Sequence, residues 1–177
     1  MSVKKGKIKV VSLFSGCGGG DLGLVGGFEF LGKKYQKNKF DIIWANDNEH
    51  FAVESYKKNL GEHIIEEDIN LIKEKDIPEH DLLIGGLPCQ SFSMVGLRKG
   101  LCDPRGKLYQ EMIRVLKLKK PKVFIGENVK GLISVQKGIV FNKIIEDFDK
   151  AGYYVSFKVL NASKYGVPLK RERVIIV

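Results

Sequence analysis

The amino-terminal stretch places a glycine-rich turn directly after a short apolar run, and this arrangement restricts the fold more than any other feature. Residues 8–14 predict a buried strand, and residues 15–20 form a turn that contains four glycines. Residues 21–31 then predict an apolar helix. A strand, a glycine turn and a helix in this order make a nucleotide-type binding unit, in which the backbone approaches a ligand closely. The same pattern also fits a tight strand-to-helix turn that binds nothing.

The glycine spacing limits which ligand the turn can hold. The dinucleotide fingerprint needs a third glycine, and that position, counted from Gly16 and Gly18, is Asp21. No Gly-Lys-Ser/Thr string follows, as a phosphate-binding P-loop requires. The pattern therefore favours a smaller adenosyl ligand over a dinucleotide or a nucleoside triphosphate.

Apolar runs continue to alternate with helical stretches along the chain. Six further strands are predicted at residues 40–45, 63–65, 81–84, 123–125, 153–159 and 172–177, and helices at residues 50–59, 108–118 and 138–151. This alternation predicts a doubly wound, Rossmann-like α/β sheet of seven strands, with ligands at the carboxyl ends of the parallel strands. No helix separates the last two strands, so the last strand is expected to be antiparallel.

Composition is that of an ordinary globular domain. The chain has 177 residues, 44% of them hydrophobic, which is enough for one domain with a sizeable core. No apolar run approaches the roughly 18 residues of a membrane span, and the amino terminus has no signal-peptide apolar region. The three cysteines (Cys17, Cys89 and Cys102) are widely spaced, which argues against a disulfide framework or a metal site and favours a cytoplasmic location.

Charge adds a candidate partner. The net charge is +9, from 30 basic and 21 acidic residues, and basic residues cluster at 33–39, 117–122 and 170–173. A basic surface of this size is compatible with a polyanion such as nucleic acid. A lysine-rich soluble protein with no such partner would have the same composition.

Acidic residues follow the second and third predicted strands. An acid at the end of the second strand commonly holds ribose hydroxyls, and both Asp47 and Glu49 are candidates. Either could instead cap the helix that follows. Asp68 follows the third strand and is expected to face the same crevice.

A cysteine follows the fourth strand. Gly85 and Gly86 are expected to let the backbone turn sharply, and Pro88 restricts the backbone just before Cys89. A rigidly held thiol suggests a nucleophile, although a packed free cysteine fits as well. Glu127 follows the fifth strand, and the carboxyl ends of parallel strands lie on the same edge. The glycine-punctuated basic loop at residues 93–106 predicts either a mobile lid over a polyanion or a plain surface loop.

Four strings together resemble the DNA cytosine-5 methyltransferases, in that family's order. They are Phe-Ser-Gly-Cys-Gly-Gly at 14–19, Gly-Leu-Pro-Cys-Gln-Ser at 86–91, Glu-Asn-Val at 127–129 and Arg-Glu-Arg at 171–173. The resemblance spans nearly the whole chain and implies the sheet of an S-adenosylmethionine-dependent methyltransferase. Three positions depart from the family's pattern: Leu87 replaces a proline, Asn48 replaces a larger side chain beside the adenine, and Leu169 replaces a glutamine.

The resemblance also implies roles for individual residues. The S-adenosylmethionine site would comprise Phe14, Gly16, Gly18, Asp47, Asn48, Asp68, Ile69 and Pro88. The Cys89 thiolate would attack carbon 6 of a flipped-out cytosine, and Glu127, with a pKa raised by burial, would hydrogen-bond ring nitrogen 3. Arg171 and Arg173 would hold the base. Further substrate or DNA contacts are expected from Gln90, Ser93, Arg98, Arg105 and Asn128.

The family pattern continues beyond the seventh strand, into a target-recognition region and a helix that returns to the cofactor pocket. Residues 1–177 are therefore expected to form a single catalytic and cofactor-binding domain without either part. We expect a methyltransferase of a restriction-modification system that acts on double-stranded DNA, with a possible second subunit that carries target recognition. Two alternatives are a tRNA cytosine-5 methyltransferase and a non-catalytic module that only binds S-adenosylmethionine.

Overall fold

The computed structural model describes residues 6–87 and 108–177. The strands are β1 (Ile8–Leu13), β2 (Glu29–Phe30), β3 (Lys33–Lys34), β4 (Phe40–Asp47), β5 (Ile64–Glu66), β6 (Leu82–Gly86), β7 (Val123–Val129), β8 (Phe157–Asn161) and β9 (Glu172–Ile176). The α-helices are α1 (Gly19–Val25), α2 (His50–Leu60), α3 (Tyr109–Lys119) and α4 (Ile139–Lys150). No helix in these ranges has the length and apolar character needed to cross a membrane.

Seven of these strands form one mixed sheet in the order β5-β4-β1-β6-β7-β9-β8. Strand β4 pairs in parallel with β1 and β5, whereas β9 pairs antiparallel with both β7 and β8. The predictions of a seven-stranded α/β sheet and of an antiparallel last strand are therefore confirmed. Strands β2 and β3 form a separate antiparallel hairpin.

The described residues divide into two compact units, and the first comprises residues 6–84 with 121–123. Its strand β1 buries Val10, Val11 and Leu13 completely. A near-continuous apolar run is what a parallel strand covered on both faces requires. Helix α2 buries Val53 and Tyr56 against Ala45 of β4 and Ile64 of β5, so this helix is fixed on the strands that lead to the candidate site.

The second unit comprises residues 85–87, 108–120 and 124–177. Helix α4 buries one side, with Ile144 and Phe148 almost inaccessible to solvent. The Phe148 ring stacks on Phe124 of β7 at a centroid distance of 4.4 Å. On the neighbouring strand β9, Val174 and Ile176 are fully buried. Strands β7 and β9 therefore share one apolar core with α4, and this core supports their polar side chains.

The first helix is shorter than predicted. It ends at Val25 and not near residue 31, because Gly26 and Gly27 adopt positive φ angles of 65° and 80°. Glycine reaches this left-handed region at no steric cost, so two in succession readily end a helix. The residues that follow form the β2–β3 hairpin instead.

Several strand boundaries also differ from the predictions, among them those of β6, β7 and β8. Strand β6 continues through Gly85 and Gly86, so the sharp turn predicted at these glycines is wrong. Strand β7 continues to Val129, because β9 pairs with residues 126–129, and Glu127 therefore lies within a strand and not after it. Strand β8 begins at Phe157 and not at residue 153.

Candidate functional site

The glycine turn lies between β1 and α1 in the first unit. Phe14, Gly16 and Gly18 have positive φ angles of 54°, 55° and 87°. A Cβ atom on Gly18 would collide with Leu60 Cδ1 and lie 2.9 Å from Tyr56 Cδ2, whereas one on Gly16 or Gly19 would meet nothing within 4 Å. The turn is thus packed tightly onto α2 at Gly18 and open beside Gly16 and Gly19.

Asp47 holds this turn from the end of β4. Its Oδ2 accepts a hydrogen bond of 2.7 Å from the Gly16 N–H, and its Oδ1 accepts one of 3.0 Å from the Glu49 N–H. Glu49 itself caps α2, because its carboxylate accepts hydrogen bonds from Phe51 N and Ala52 N. Asp47 and Glu49 were both candidates for binding the ribose. The Glu49 carboxylate caps α2, whereas the Asp47 carboxylate contacts the glycine turn.

The residues after β5 lie beside this corner of the first unit. Asn46 is buried, and its side-chain amide donates to the backbone oxygens of Ile65 and Glu67 at 3.2 and 2.8 Å. This contact fixes the chain that leads to Asp68, whose Oδ1 accepts hydrogen bonds from Asn70. Among the other predicted cofactor residues, Ile69 is buried and Asn48 is exposed.

A buried polar network beneath the turn was not predicted. Asp21 is only 2% exposed, and it accepts hydrogen bonds from Ser12 Oγ at 2.8 Å and from the Tyr56 hydroxyl at 2.7 Å. The Tyr56 oxygen also lies 3.0 Å from His63 Nε2. Burial raises the pKa of Asp21, although the hydrogen bonds from Tyr56 and Ser12 act in the opposite direction. The sequence signal that could have indicated this network is the presence of Ser12 and Tyr56 at core positions of otherwise apolar elements.

The second unit presents an ion pair on two neighbouring strands. Arg173 Nε of β9 lies 2.8 Å from Glu127 Oε1 of β7. Because Arg173 is paired with Val129 in the strand register, it is a diagonal neighbour of Glu127 on the same face of the sheet. The Glu127 and Arg173 side chains are 38% and 24% exposed, so the burial predicted for Glu127 is not found.

Asn128 points to the opposite side of β7 from Glu127, and it is 1% exposed. Its Nδ2 donates to Leu87 O at 3.2 Å, and its Oδ1 accepts from Val129 N at 2.7 Å. The Leu87 N–H donates in turn to Glu127 O at 2.9 Å. Strand β7 therefore fixes residue 87 through two hydrogen bonds, and a DNA contact by Asn128 stays a prediction.

Of the remaining predicted site residues, Arg171 is described by the structure and the others lie outside the described ranges. Arg171 is exposed just before β9, where its carbonyl accepts a hydrogen bond from Ala162 N. The lid prediction at 93–106 falls outside the described residues, as do six site residues: Pro88, Cys89, Gln90, Ser93, Arg98 and Arg105. The described cofactor residues lie in the first unit, and the described base-holding residues lie in the second.

Comparison with known proteins decides the family. The C-5 cytosine-specific DNA methylase family matches residues 8–177. The chain belongs to this family. The resemblance seen in the four sequence strings is therefore confirmed.

Relatives of this methylase-family chain include several bacterial enzymes. The Type II methyltransferase M.NgoFVII of Neisseria gonorrhoeae is 46% identical over 173 residues, which are 97% of this chain and 43% of the relative. The Type II methyltransferase M.FnuDI of Fusobacterium nucleatum is 44% identical over 96% of this chain and 46% of its own length. The chain thus spans less than half the length of these relatives.

Solved structures agree with the fold. A DNA modification methyltransferase encoded within an E. coli prophage superposes with a TM-score of 0.73 at 27% identity, covering 96% of this chain and 46% of that one. The Dnmt2 methyltransferase of S. pombe gives a TM-score of 0.69 at 26% identity, over 96% of this chain and 50% of its own. The methylase-family chain therefore has the methyltransferase sheet that its sequence predicted.

Proposed function

We propose that this chain transfers a methyl group from S-adenosylmethionine to carbon 5 of cytosine in double-stranded DNA. The observation that carries the proposal is the Glu127–Arg173 pair, with its 2.8 Å contact on adjacent strands of a C-5 cytosine DNA methylase family member. A carboxylate and a guanidinium, both partly exposed and oriented by each other, can bind the polar edge of a base through directed hydrogen bonds.

Features of the first unit support S-adenosylmethionine as the cofactor. The turn is open beside Gly16 and Gly19, so the backbone can approach a ligand closely there. Asp47 is placed by two backbone N–H groups, and its carboxylate would accept hydrogen bonds from ribose hydroxyls. Asp68 and Ile69 would contact the adenine, with Phe14, Gly18, Asn48 and Pro88 completing the pocket. When bound, the cofactor supplies an electrophilic methyl group on a sulfonium.

The base chemistry is assigned to Cys89 and the second unit. The Cys89 sulfur would form a bond to carbon 6 of cytosine, and the electrons of the 5,6 double bond would move to carbon 5. Carbon 5 would then accept the methyl group as the sulfur–methyl bond breaks, with S-adenosylhomocysteine as the leaving group. Loss of the carbon 5 proton to a base and cleavage of the sulfur–carbon 6 bond would release the product. Glu127 would hydrogen-bond ring nitrogen 3, and Arg171 and Arg173 would hold the base.

Target recognition is assigned to sequence outside residues 1–177. The matched relatives are more than twice as long as this chain, since it covers 43% and 46% of them. We propose that a region corresponding to the unmatched part of these relatives carries target recognition, on this polypeptide or on a second subunit. We also propose that the methyltransferase protects DNA within a restriction-modification system, as the Type II names of the relatives suggest.

Methyl transfer is tested with tritiated S-adenosylmethionine, on unmethylated genomic DNA and on tRNA in parallel. The chain is assayed alone and together with the part of M.NgoFVII that the match does not cover. We expect label in DNA, lost in Cys89→Ser and reduced at least a hundredfold in Glu127→Gln. Label in tRNA alone would favour the RNA substrate. Cofactor binding without transfer under either condition would favour the non-catalytic module.

The covalent step is tested separately with duplex DNA that contains 5-fluorocytosine. Fluorine at carbon 5 cannot leave as a proton does, so the Cys89–carbon 6 adduct should accumulate as a denaturation-resistant complex. We expect this complex with the wild-type chain and not with Cys89→Ala. A complex that persists in Cys89→Ala would assign the nucleophile to another residue.

A further inference from the structure

We propose that the buried side chains of Asp21 and Tyr56, together with the half-buried His63, position the glycine turn that binds the cofactor. This inference rests on the proposed function, because it assigns the turn to S-adenosylmethionine. None of the three residues is expected to touch the cofactor. Each is a positioning residue that acts through the backbone of residues 15–20.

Both carboxyl oxygens of the buried Asp21 have hydrogen-bond donors. Asp21 is 2% exposed and Tyr56 is completely buried. A buried carboxyl without partners would be strongly destabilising. Here one carboxyl oxygen accepts a hydrogen bond from Ser12 Oγ at 2.8 Å, and the other accepts one from the Tyr56 hydroxyl at 2.7 Å. The chain thus keeps a polar group in its core and supplies both of its oxygens with donors.

The hydrogen bonds of Tyr56 determine which atoms in the network carry protons. A tyrosine hydroxyl carries one proton, and in this arrangement Tyr56 donates it to Asp21. The 3.0 Å contact between the Tyr56 oxygen and His63 Nε2 must then use a proton on the histidine nitrogen. The network therefore requires His63 to be protonated at Nε2. This requirement provides a spectroscopic signature that does not depend on cofactor binding.

The network contacts the glycine turn at Gly18 and at Ser15. The Tyr56 ring lies directly beneath Gly18, where a Cβ atom would approach Tyr56 Cδ2 to 2.9 Å. Ser12 joins Asp21 to the end of β1, and Ser15 Oγ of the turn lies 2.9 Å from Ser12 Oγ. Asp21 and His63 hold the hydroxyl of Tyr56, and the ring of Tyr56 packs against Gly18. A change in the position of Tyr56 would therefore displace the turn.

A purely structural role would lower stability without a specific effect on the turn. The chain offers a matched control for this alternative. Tyr109 of α3 is also buried, and its hydroxyl donates a hydrogen bond of 2.8 Å to Asp147 of α4 in the second unit. Tyr56→Phe and Tyr109→Phe therefore remove the same atom and the same kind of tyrosine–aspartate bond.

The experiment compares these two variants by amide hydrogen exchange and by calorimetric titration with S-adenosylmethionine. We expect Tyr56→Phe to accelerate exchange at residues 15–20 in the cofactor-free chain and to raise the cofactor Kd by about three- to tenfold. We expect Tyr109→Phe to change neither. Equal behaviour of the two variants, or unchanged exchange in Tyr56→Phe, would overturn the proposal.

Two further variants test His63. His63→Gln keeps a donor near the position of Nε2, whereas His63→Leu removes it. Exchange at the turn should stay close to wild type in the first and accelerate in the second, and nitrogen NMR should show a protonated Nε2 in the wild type. An unprotonated Nε2 would contradict the network. Failure of the wild-type chain to bind the cofactor would instead contradict the proposed function, while the exchange comparison would still decide whether the network holds the turn.

Discussion

At the scale of single residues, two adjacent glycines are expected to respond oppositely to the same substitution. Gly18 has a φ of 87° and no room for a Cβ beside Leu60 and Tyr56, whereas Gly19 begins α1 in open space. Gly18→Ala should lower the free energy of unfolding by about 2–4 kcal/mol, through backbone strain and overpacking. Gly19→Ala should be neutral or stabilise by up to about 1 kcal/mol. Urea denaturation measures both, and equal effects would contradict the assigned packing.

Asp21 should make the free energy of unfolding decrease as pH rises. Burial raises the pKa of Asp21 in the folded chain, so between the ordinary aspartate pKa and the raised folded value the native state binds more protons than the unfolded state. The free energy of unfolding contributed by Asp21 is therefore highest below the ordinary pKa and is lost as pH rises through the folded pKa. Denaturation of wild type and Asp21→Asn at a series of pH values measures this. The wild type should lose stability relative to the variant as pH rises, and a gain would contradict the sign.

At the scale of elements, the hydrogen bonds at the start of α2 assign different roles to Asp47 and Glu49, which the sequence could not distinguish. Glu49 accepts hydrogen bonds from the first turn of the helix, whereas Asp47 accepts one from Gly16 N. Glu49→Ala should therefore cost about 1 kcal/mol of stability and change the Kd for S-adenosylmethionine less than twofold. Asp47→Ala should raise that Kd about tenfold or more. Denaturation and calorimetric titration test the pair, and a larger loss of affinity in Glu49→Ala would reverse the assignment.

The elements also show what a sequence can predict and where it stops. Helix α2 and strand β1 were predicted almost to the residue, because their apolar positions and flanking polar residues are local signals. The length of β7 was not predicted correctly, because its last four residues are ordered by pairing with β9, about 47 positions later in the chain. The Asp21–Tyr56–His63 network was missed for the same reason. Its members are 35 and 7 positions apart, and only the fold brings them together.

At the scale of the whole molecule, the two compact units divide the proposed work. Asp47 and the glycine turn belong to the first unit, and the Glu127–Arg173 pair belongs to the second. Each unit has its own buried apolar side chains, such as Val53 in the first and Phe148 in the second. Variants matched across the units, such as Tyr56→Phe and Tyr109→Phe, can therefore separate a specific effect from a general loss of stability.

The protein has a net charge of +9. Affinity for DNA depends on how many individual lysine and arginine side chains contact phosphates, and not on the net charge itself. Lys158, Lys164 and Lys170 are exposed on β8 or between β8 and β9, in the unit that carries Glu127, and none of them has a proposed role in holding the base. If these three contact phosphates, they contribute about −2.7 to the slope of log affinity against log salt, or about 40-fold between 50 and 200 mM. Replacing all three with alanine should remove this part of the slope, measured by fluorescence anisotropy on duplex DNA. As a control, alanine at Lys34, Lys37 and Lys39 of the first unit removes the same three charges. It should leave the slope nearly unchanged, and equal changes in the two triple variants would show that binding follows net charge alone.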